Sequence, residues 1–324
     1  MPRSPMTSAH AYRIASRLGL ATTLLMFGLI VVGSVVRTTG SGLACPDWPL
    51  CEGRLFPRFE SHVLTEWFHR LLALLVSLMV VSTAGWVLAQ GSVRRQLGGL
   101  AVLAVGLLFA QVLLGALTVW KLLNPAVVSG HLAVALLLFT TLLTLTLLAQ
   151  RGTEAASPPA PAPASPGARS SALPATFAIA TGLAFVQCLL GGLVSTNHAG
   201  LACPDWPTCN GQWFPPLQGQ VGLQMIHRWG AYLLTLVMMV VAARARTSPD
   251  PGVRAGGRMA ALLTLAQIAL GVSAVMLGVP PWISALHLAN AVVILAMLLT
   301  ITTRAAAASA VPARAALDAG LAAS

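Results

Sequence analysis

Residues 42–49 read GLACPDWP, and residues 200–207 repeat them letter for letter. An eight-residue identity containing Cys, Pro, Asp and Trp marks a duplicated unit, and the match continues without a gap. Cys51 pairs with Cys209, Gly53 with Gly211, Phe56-Pro57 with Phe214-Pro215, and His69-Arg70 with His227-Arg228. Further along, Ala110-Gln111 and Leu114-Gly115 match Ala266-Gln267 and Leu270-Gly271. His131-Leu132-Ala133 then matches His287-Leu288-Ala289. Whatever is built around these residues in one half has a counterpart in the other.

The chain around the repeat is strongly apolar. Of its 324 residues 56% are hydrophobic and 8% charged, whereas a soluble domain carries about a quarter charged residues. Eight apolar runs can be marked, at residues 16–36, 64–89, 97–120, 126–149, 173–195, 221–243, 259–277 and 282–303. Each is long enough to cross a bilayer as a helix. The first is long and lacks a small-residue cleavage site before Arg37, so it reads as a retained helix and not a cleaved leader.

Residues 150–172, QRGTEAASPPAPAPASPGARSSA, are rich in Pro, Ala and Ser. Such a segment cannot bury a core and reads as an extended linker. It divides the spans four and four: residues 1–149 form an N-terminal half, 150–172 a cytoplasmic linker, 173–303 a C-terminal half and 304–324 a cytoplasmic tail. The expected fold is therefore an all-α integral membrane protein of two tandem four-helix bundles. Four spans per half put both halves in the membrane the same way up, related by a parallel pseudo-two-fold repeat.

Charge sets the orientation. The formal net charge is +11, a value that could point to nucleic acid, but its placement follows the membrane. Arg3, Arg13 and Arg17 precede the first run, Arg94 and Arg95 follow the second, and Arg151 and Arg169 follow the fourth. Arg244, Arg246, Arg254 and Arg258 follow the sixth, and Arg304 and Arg314 the eighth. The alternate loops hold only Arg37, Arg54, Arg58 and Lys121. This asymmetry places both termini in the cytoplasm. No clustered, solvent-facing basic element of the kind a nucleic-acid binder needs is visible.

Of seven histidines, His10, His62 and His198 fall in the tail or outer loops. His69, His131, His227 and His287 fall near the outer ends of even-numbered spans, at matching positions of the repeat. A lone intramembrane histidine reads most simply as an interhelical hydrogen bond. Four at matching depth suit a different purpose, since two imidazoles from neighbouring helices can bind haem iron axially. Pairing His69 with His131 and His227 with His287 gives one haem site per half. A zinc or copper centre is the competing reading, weakened because the second half's spans hold no carboxylate co-ligand and no cysteine besides Cys188. Arg70 and Arg228 follow candidate ligands directly and suit either haem propionates or lipid headgroups.

The halves differ at Glu66, the only acidic residue in any apolar run, three residues before His69 and on the same helix face. Gln224 stands at its counterpart. An amide fills the space but cannot relay protons or stabilise a cation, so the difference points to chemistry in the first half. The plainer reading is that Glu66 orients a histidine through a hydrogen bond.

Cys45/Cys51 and Cys203/Cys209 form two C-x5-C pairs on the outer side, where an oxidising compartment favours disulfides. Each pair reads either as a staple for its loop or as a redox-active couple. A four-thiolate zinc site would prefer closer spacing and a reducing compartment. Cys188, inside the fifth run, reads as a core residue.

Residues 40–49 (GSGLACPDWP) with Cys51, the Glu-x-x-His-Arg of residues 66–70, and His131, His227 and His287 together resemble the haem A synthase family, over about residues 18–303. The resemblance implies eight helices in two halves and oxidation of the C8 methyl of haem O to a formyl group, giving haem A for terminal oxidase assembly. It implies that His69 and His131 ligate the substrate haem, that His227 and His287 ligate a bound haem b, and that Glu66 is catalytic. It also implies that Cys45 and Cys51 are the outer-loop pair linked to activity, with Cys203 and Cys209 the second pair. A bacterial inner-membrane location with extracytoplasmic Cys loops follows, with membrane lipid, a haem O synthase and an electron donor as partners; a homo-oligomer stays open. Two rivals come from other classes: a di-haem b electron-transfer cytochrome, and a membrane thiol–disulfide carrier.

Overall fold

A computed structural model of the chain describes residues 5–156 and 172–322. Among these residues run eight long helices: α1 (Pro5–Thr38), α2 (Ser61–Ala89), α3 (Gly91–Trp120), α4 (Pro125–Ala155), α5 (Ala172–Thr196), α6 (Gly219–Arg246), α7 (Pro251–Met276) and α8 (Pro281–Ala322). All eight contain a stretch long and apolar enough to cross a membrane. The chain is an eight-span, all-helical membrane protein.

Helix ends follow local chemistry. Asn124 accepts a hydrogen bond from the Ala126 N–H (3.0 Å) and Asp250 from the Gly252 N–H (2.7 Å), each just ahead of a proline in the first turn. These are N-caps in the usual sense, with Pro where no N–H is needed. Several helices overrun the apolar runs that announce them. α4 continues to Ala155, into the expected linker, and α8 continues to Ala322, through the expected tail. The α8 extension is alanine-rich and that of α4, residues 150–155, is polar; most such residues cost a helix little, so hydropathy marks the span and not the helix. The rest of the linker, residues 157–171, lies outside the described residues.

Within each half the helices pack in sequence order, and the first helix closes onto the fourth: α1 on α2, α2 on α3, α3 on α4, α1 on α4, with α5 to α8 repeating these pairings. α1, α4, α5 and α8 form the seam between halves. Burial follows that arrangement: 56% of an 18-residue apolar stretch of α4 is buried, against 11% for α7. One apolar cluster crosses the seam, including Met26 of α1, Leu138 and Leu142 of α4, Phe177 of α5 and Leu295 and Leu298 of α8. Large apolar side chains such as Leu74, Phe109, Leu236 and Leu265 stay exposed on the periphery, the surface that lipid covers in an eight-span protein.

Candidate functional site

The repeated octapeptide builds a cap between the first and second helices of each half. Glu52-Gly53 and Asn210-Gly211 all have positive φ (55°, 68°, 51° and 76°) and close two-residue turns. Main-chain bonds join Cys51 to Arg54 and Cys209 to Gln212, the pattern of a tight hairpin turn for which Asn-Gly is well suited. The Asp47 carboxylate accepts the N–H groups of Glu52 (2.6 Å) and Gly53 (2.7 Å). Asp205 accepts those of Asn210 (2.6 Å) and Gly211 (3.0 Å), and the Thr208 hydroxyl (2.5 Å). These bonds hold both carboxyls below the usual carboxylate range, that of Asp47 chiefly through Gly53 and that of Asp205 chiefly through Thr208. Cys45–Cys51 and Cys203–Cys209 are disulfide-bonded, with Cα atoms 4.7 and 4.6 Å apart.

The arginine after each histidine ties this cap to its helix. Arg70 donates to the carbonyls of Cys45 (2.9 Å), Asp47 (2.6 Å) and Leu50 (2.5 Å). Arg228 donates to the matching carbonyls of Cys203 (2.6 Å), Asp205 (2.8 Å) and Thr208 (2.5 Å). The His-Arg dipeptide therefore has two tasks: its arginine gathers the Cys loop, and its histidine faces the helix bundle.

Each of the four histidines packs against a glycine on the preceding helix. A Cβ added to Gly33 would lie 3.2 Å from Nε2 of His69, and one on Gly115 would lie 3.3 Å from Cε1 of His131. Gly191 stands the same way against His227 (3.1 Å) and Gly271 against His287 (3.0 Å). Gly33 and Gly191 occupy matching positions of the repeat, as do Gly115 and Gly271. Small residues at these points let an imidazole lie flush with a neighbouring helix.

Polar support for the rings is unequal. In the C-terminal half the Gln187 amide nitrogen lies 3.0 Å from Nδ1 of His227 and donates to that residue's carbonyl (2.8 Å). Gln267 lies 3.2 Å from Nε2 of His287, donates to its carbonyl (3.0 Å), and accepts from Asn290 (2.8 Å). In the N-terminal half Leu29 and Val134 occupy the positions of Gln187 and Asn290. There Gln111 lies 3.3 Å from Nε2 of His131, while its own carbonyl oxygen is buried without a partner.

Glu66 and Gln224 differ just as sharply. Glu66 is 4% exposed; one oxygen accepts the Cys45 N–H (2.7 Å) and the other the Arg70 guanidinium (2.6 Å). Gln224 donates to the Gly200 carbonyl (3.2 Å), and its oxygen is buried without a partner. Glu66 thus links the Cys45–Cys51 loop to the helix that carries His69.

The donor set suits haem. The rings of His227 and His287 stand 6.5 Å apart, centre to centre. At that separation both rings could reach one metal held between them, which haem iron, taking two imidazoles, would fit. Nδ1 of His131 and Nδ1 of His287 are buried with no partner, an uncommon condition that a further ligand would relieve. Among the described residues no three His, Cys, Asp or Glu side chains gather around a common metal position, so imidazole pairs are the donor set on offer.

The structure brings together most of the residues singled out from sequence: His69, Glu66, Arg70 and the Cys45–Cys51 loop at the top of α2, and His227, Gln224, Arg228 and the Cys203–Cys209 loop at the top of α6. His62 lies on the first turn of α2 and not in a loop, 3.0 Å from the Ser41 hydroxyl. The sequence reading noted Gly115 and Gly271 only as repeat matches and did not mark Gly33, Gly191, Gln187 or Asn290. Their signal was present: a polar amide within an apolar run, and Gly33 and Gly191 at the same spacing as the octapeptides.

The family model described as cytochrome oxidase assembly protein (COX15-CtaA) matches residues 16–299. Curated relatives named Heme A synthase include one from Symbiobacterium thermophilum, 34% identical over 78% of this chain and 82% of its own. Another, from Halalkalibacterium halodurans, is 32% identical over 82% of this chain and 89% of its own. A third, from Methylobacterium radiotolerans, is 32% identical over 84% of this chain and 85% of its own.

Proposed function

The chain belongs to the haem A synthase family of cytochrome oxidase assembly proteins, and from that premise we propose that its two halves divide one oxidation between a substrate site and a cofactor site. The activity is that of the family: an oxidoreductase of the membrane that converts haem O to haem A. The N-terminal half takes haem O between His69 and His131, and the C-terminal half keeps a haem b between His227 and His287. Both termini face the cytoplasm and both Cys loops the outer side of a bacterial inner membrane.

The observation that carries this division is the unequal support of the histidines. A permanent cofactor benefits from ligands locked in place, and Gln187, Gln267 and Asn290 supply that in the C-terminal half. A substrate must enter and its product must leave. Leu29 and Val134 leave His69 and His131 freer to follow that exchange. Bound haem iron supplies the redox chemistry; the chain supplies position, dryness and proton handling. Glu66 uses two of a carboxylate's roughly four acceptor positions, on the Cys45 N–H and Arg70. The others can take a proton or steady a developing positive charge beside the substrate. Arg70 spends all four Nη N–H groups on its loop and Glu66, leaving Nε–H as the donor a propionate would meet; Arg228 spends three, leaving Nε–H and one Nη2 N–H.

Co-expression with a haem O source, followed by chromatography of extracted haems, tests the activity. Haem A is the expected product; haem B alone, with haem O unconsumed, would replace this reading by a di-haem cytochrome. The division of labour has its own test. Gln187→Leu combined with Asn290→Val gives the C-terminal half the residues of the other, and is expected to weaken its hold on haem b by about ten- to a hundredfold. Haem b per chain after purification measures it. Wild-type retention would remove the amides from the account.

A further inference from the structure

α1 carries one cation in its outer turns. Arg37 comes four residues after Gly33, so it lies on the same helix face, about one turn nearer the outer surface. Gly33 is the residue that packs against Nε2 of His69. Because Cα–Cβ bonds in a helix tilt toward its N-terminus, the Arg37 side chain leaves the backbone leaning back toward the level of that imidazole.

The surroundings of Arg37 ask for an anion. Its Nη1 donates to the Ser195 carbonyl at the end of α5 (2.8 Å). It is partly buried, and among the described residues no carboxylate stands within ion-pair distance of it. A guanidinium has five donors, and a cation withdrawn from water without a counter-charge is costly. Ser195 is also the residue that matches Arg37 in the repeat, so the C-terminal half has no cation at this point.

Taking the N-terminal half as the haem O site, we propose that Arg37 anchors a propionate carboxylate of the substrate haem. The macrocycle of haem O is flat, and its only charged groups are two carboxylates, which turn toward the nearer aqueous face. With its iron level with His69, that edge meets Arg37. The methyl group to be oxidised sits on a pyrrole that also carries a propionate. Pinning the carboxylate therefore stops the ring from turning about its axial ligands and fixes which methyl reaches the Glu66 side of the site. Arg37 is a positioning residue, and its bond to Ser195 holds its own guanidinium at the seam between halves.

The test uses the full-length protein with haem b loaded, titrated optically with haem O and with the dimethyl ester of haem O. Wild type is expected to prefer haem O over the ester by roughly ten- to a hundredfold, the range for a hydrogen bond to a charged group. Arg37→Leu should bind haem O that much more weakly, bind the ester as wild type does, and keep its haem b. Arg37→Lys should recover most of the preference; Arg37→Gln, which keeps a donor for Ser195 but no charge, should not. Equal weakening for haem O and the ester, rescue by Gln, or loss of haem b would each show a structural tie and overturn the proposal. A wild-type protein that takes up neither haem O nor its ester would overturn the substrate reading itself, and this anchor with it.

Discussion

Glu66→Gln is expected to keep its haem content and to lower haem A output by about a hundredfold or more. The expectation rests on what the substitution leaves in place. The side chain is buried at the top of α2, between the Cys45 N–H and the Arg70 guanidinium. Gln224 shows that the same scaffold accommodates an amide here, donating to the Gly200 carbonyl beneath an equally well-formed loop. Shape and packing therefore survive, while the negative charge and the site for a proton are lost. General acid–base contributions of about a hundred- to ten-thousandfold are typical. Haem chromatography gives the output, and total haem per chain gives the control. Normal haem A output would take Glu66 out of the chemistry and leave it as the tie between loop and helix.

The second large effect concerns stability. Arg70→Leu is expected to destabilise the protein by about 3–5 kcal/mol, the cost of leaving one member of a buried ion pair without its partner. The Arg70 and Glu66 side chains are 15% and 5% exposed, so the carboxylate left behind has little access to water. The carbonyls of Cys45, Asp47 and Leu50 lose their donor at the same time. Arg228→Leu strips the matching carbonyls but strands no charge, because Gln224 is neutral. Its loss should be clearly smaller. Adding Glu66→Gln to Arg70→Leu should recover part of the deficit, since the stranded charge is then gone. Thermal unfolding in detergent, followed by tryptophan fluorescence, compares the four proteins. Equal losses for both arginines, with no recovery in the double variant, would show that the ion pair adds nothing to the loop anchor.

Much of the architecture is legible in the sequence. Apolar runs located every span, because a membrane helix must be apolar along its length whatever it packs against. The repeated octapeptide revealed the duplication, and the structure explains why those letters recur: Asp47 and Asp205 cap the turns, Cys45–Cys51 and Cys203–Cys209 close the loops. The contrast between Glu66 and Gln224 was equally readable as composition. Helix ends were not, since a polar turn carries α4, and alanine-rich sequence carries α8, beyond their apolar parts.

The repeat marks several of the residues that face the histidines, but that they face them was decided by the tertiary structure. A soluble helix declares its inner face by an apolar stripe. In these spans both the core face and the lipid face are apolar, so the pattern does not fix the rotation of a helix about its axis. Only packing shows that Gly33, Gly115, Gly191 and Gly271 lie against the four imidazoles, or that Gln187 reaches His227 and Asn290 braces Gln267. The repeat could be read from the order of residues in one dimension. The unequal grip of its two halves, which assigns one to the substrate and the other to the cofactor in the mechanism proposed above, depends on which side chains meet across neighbouring helices.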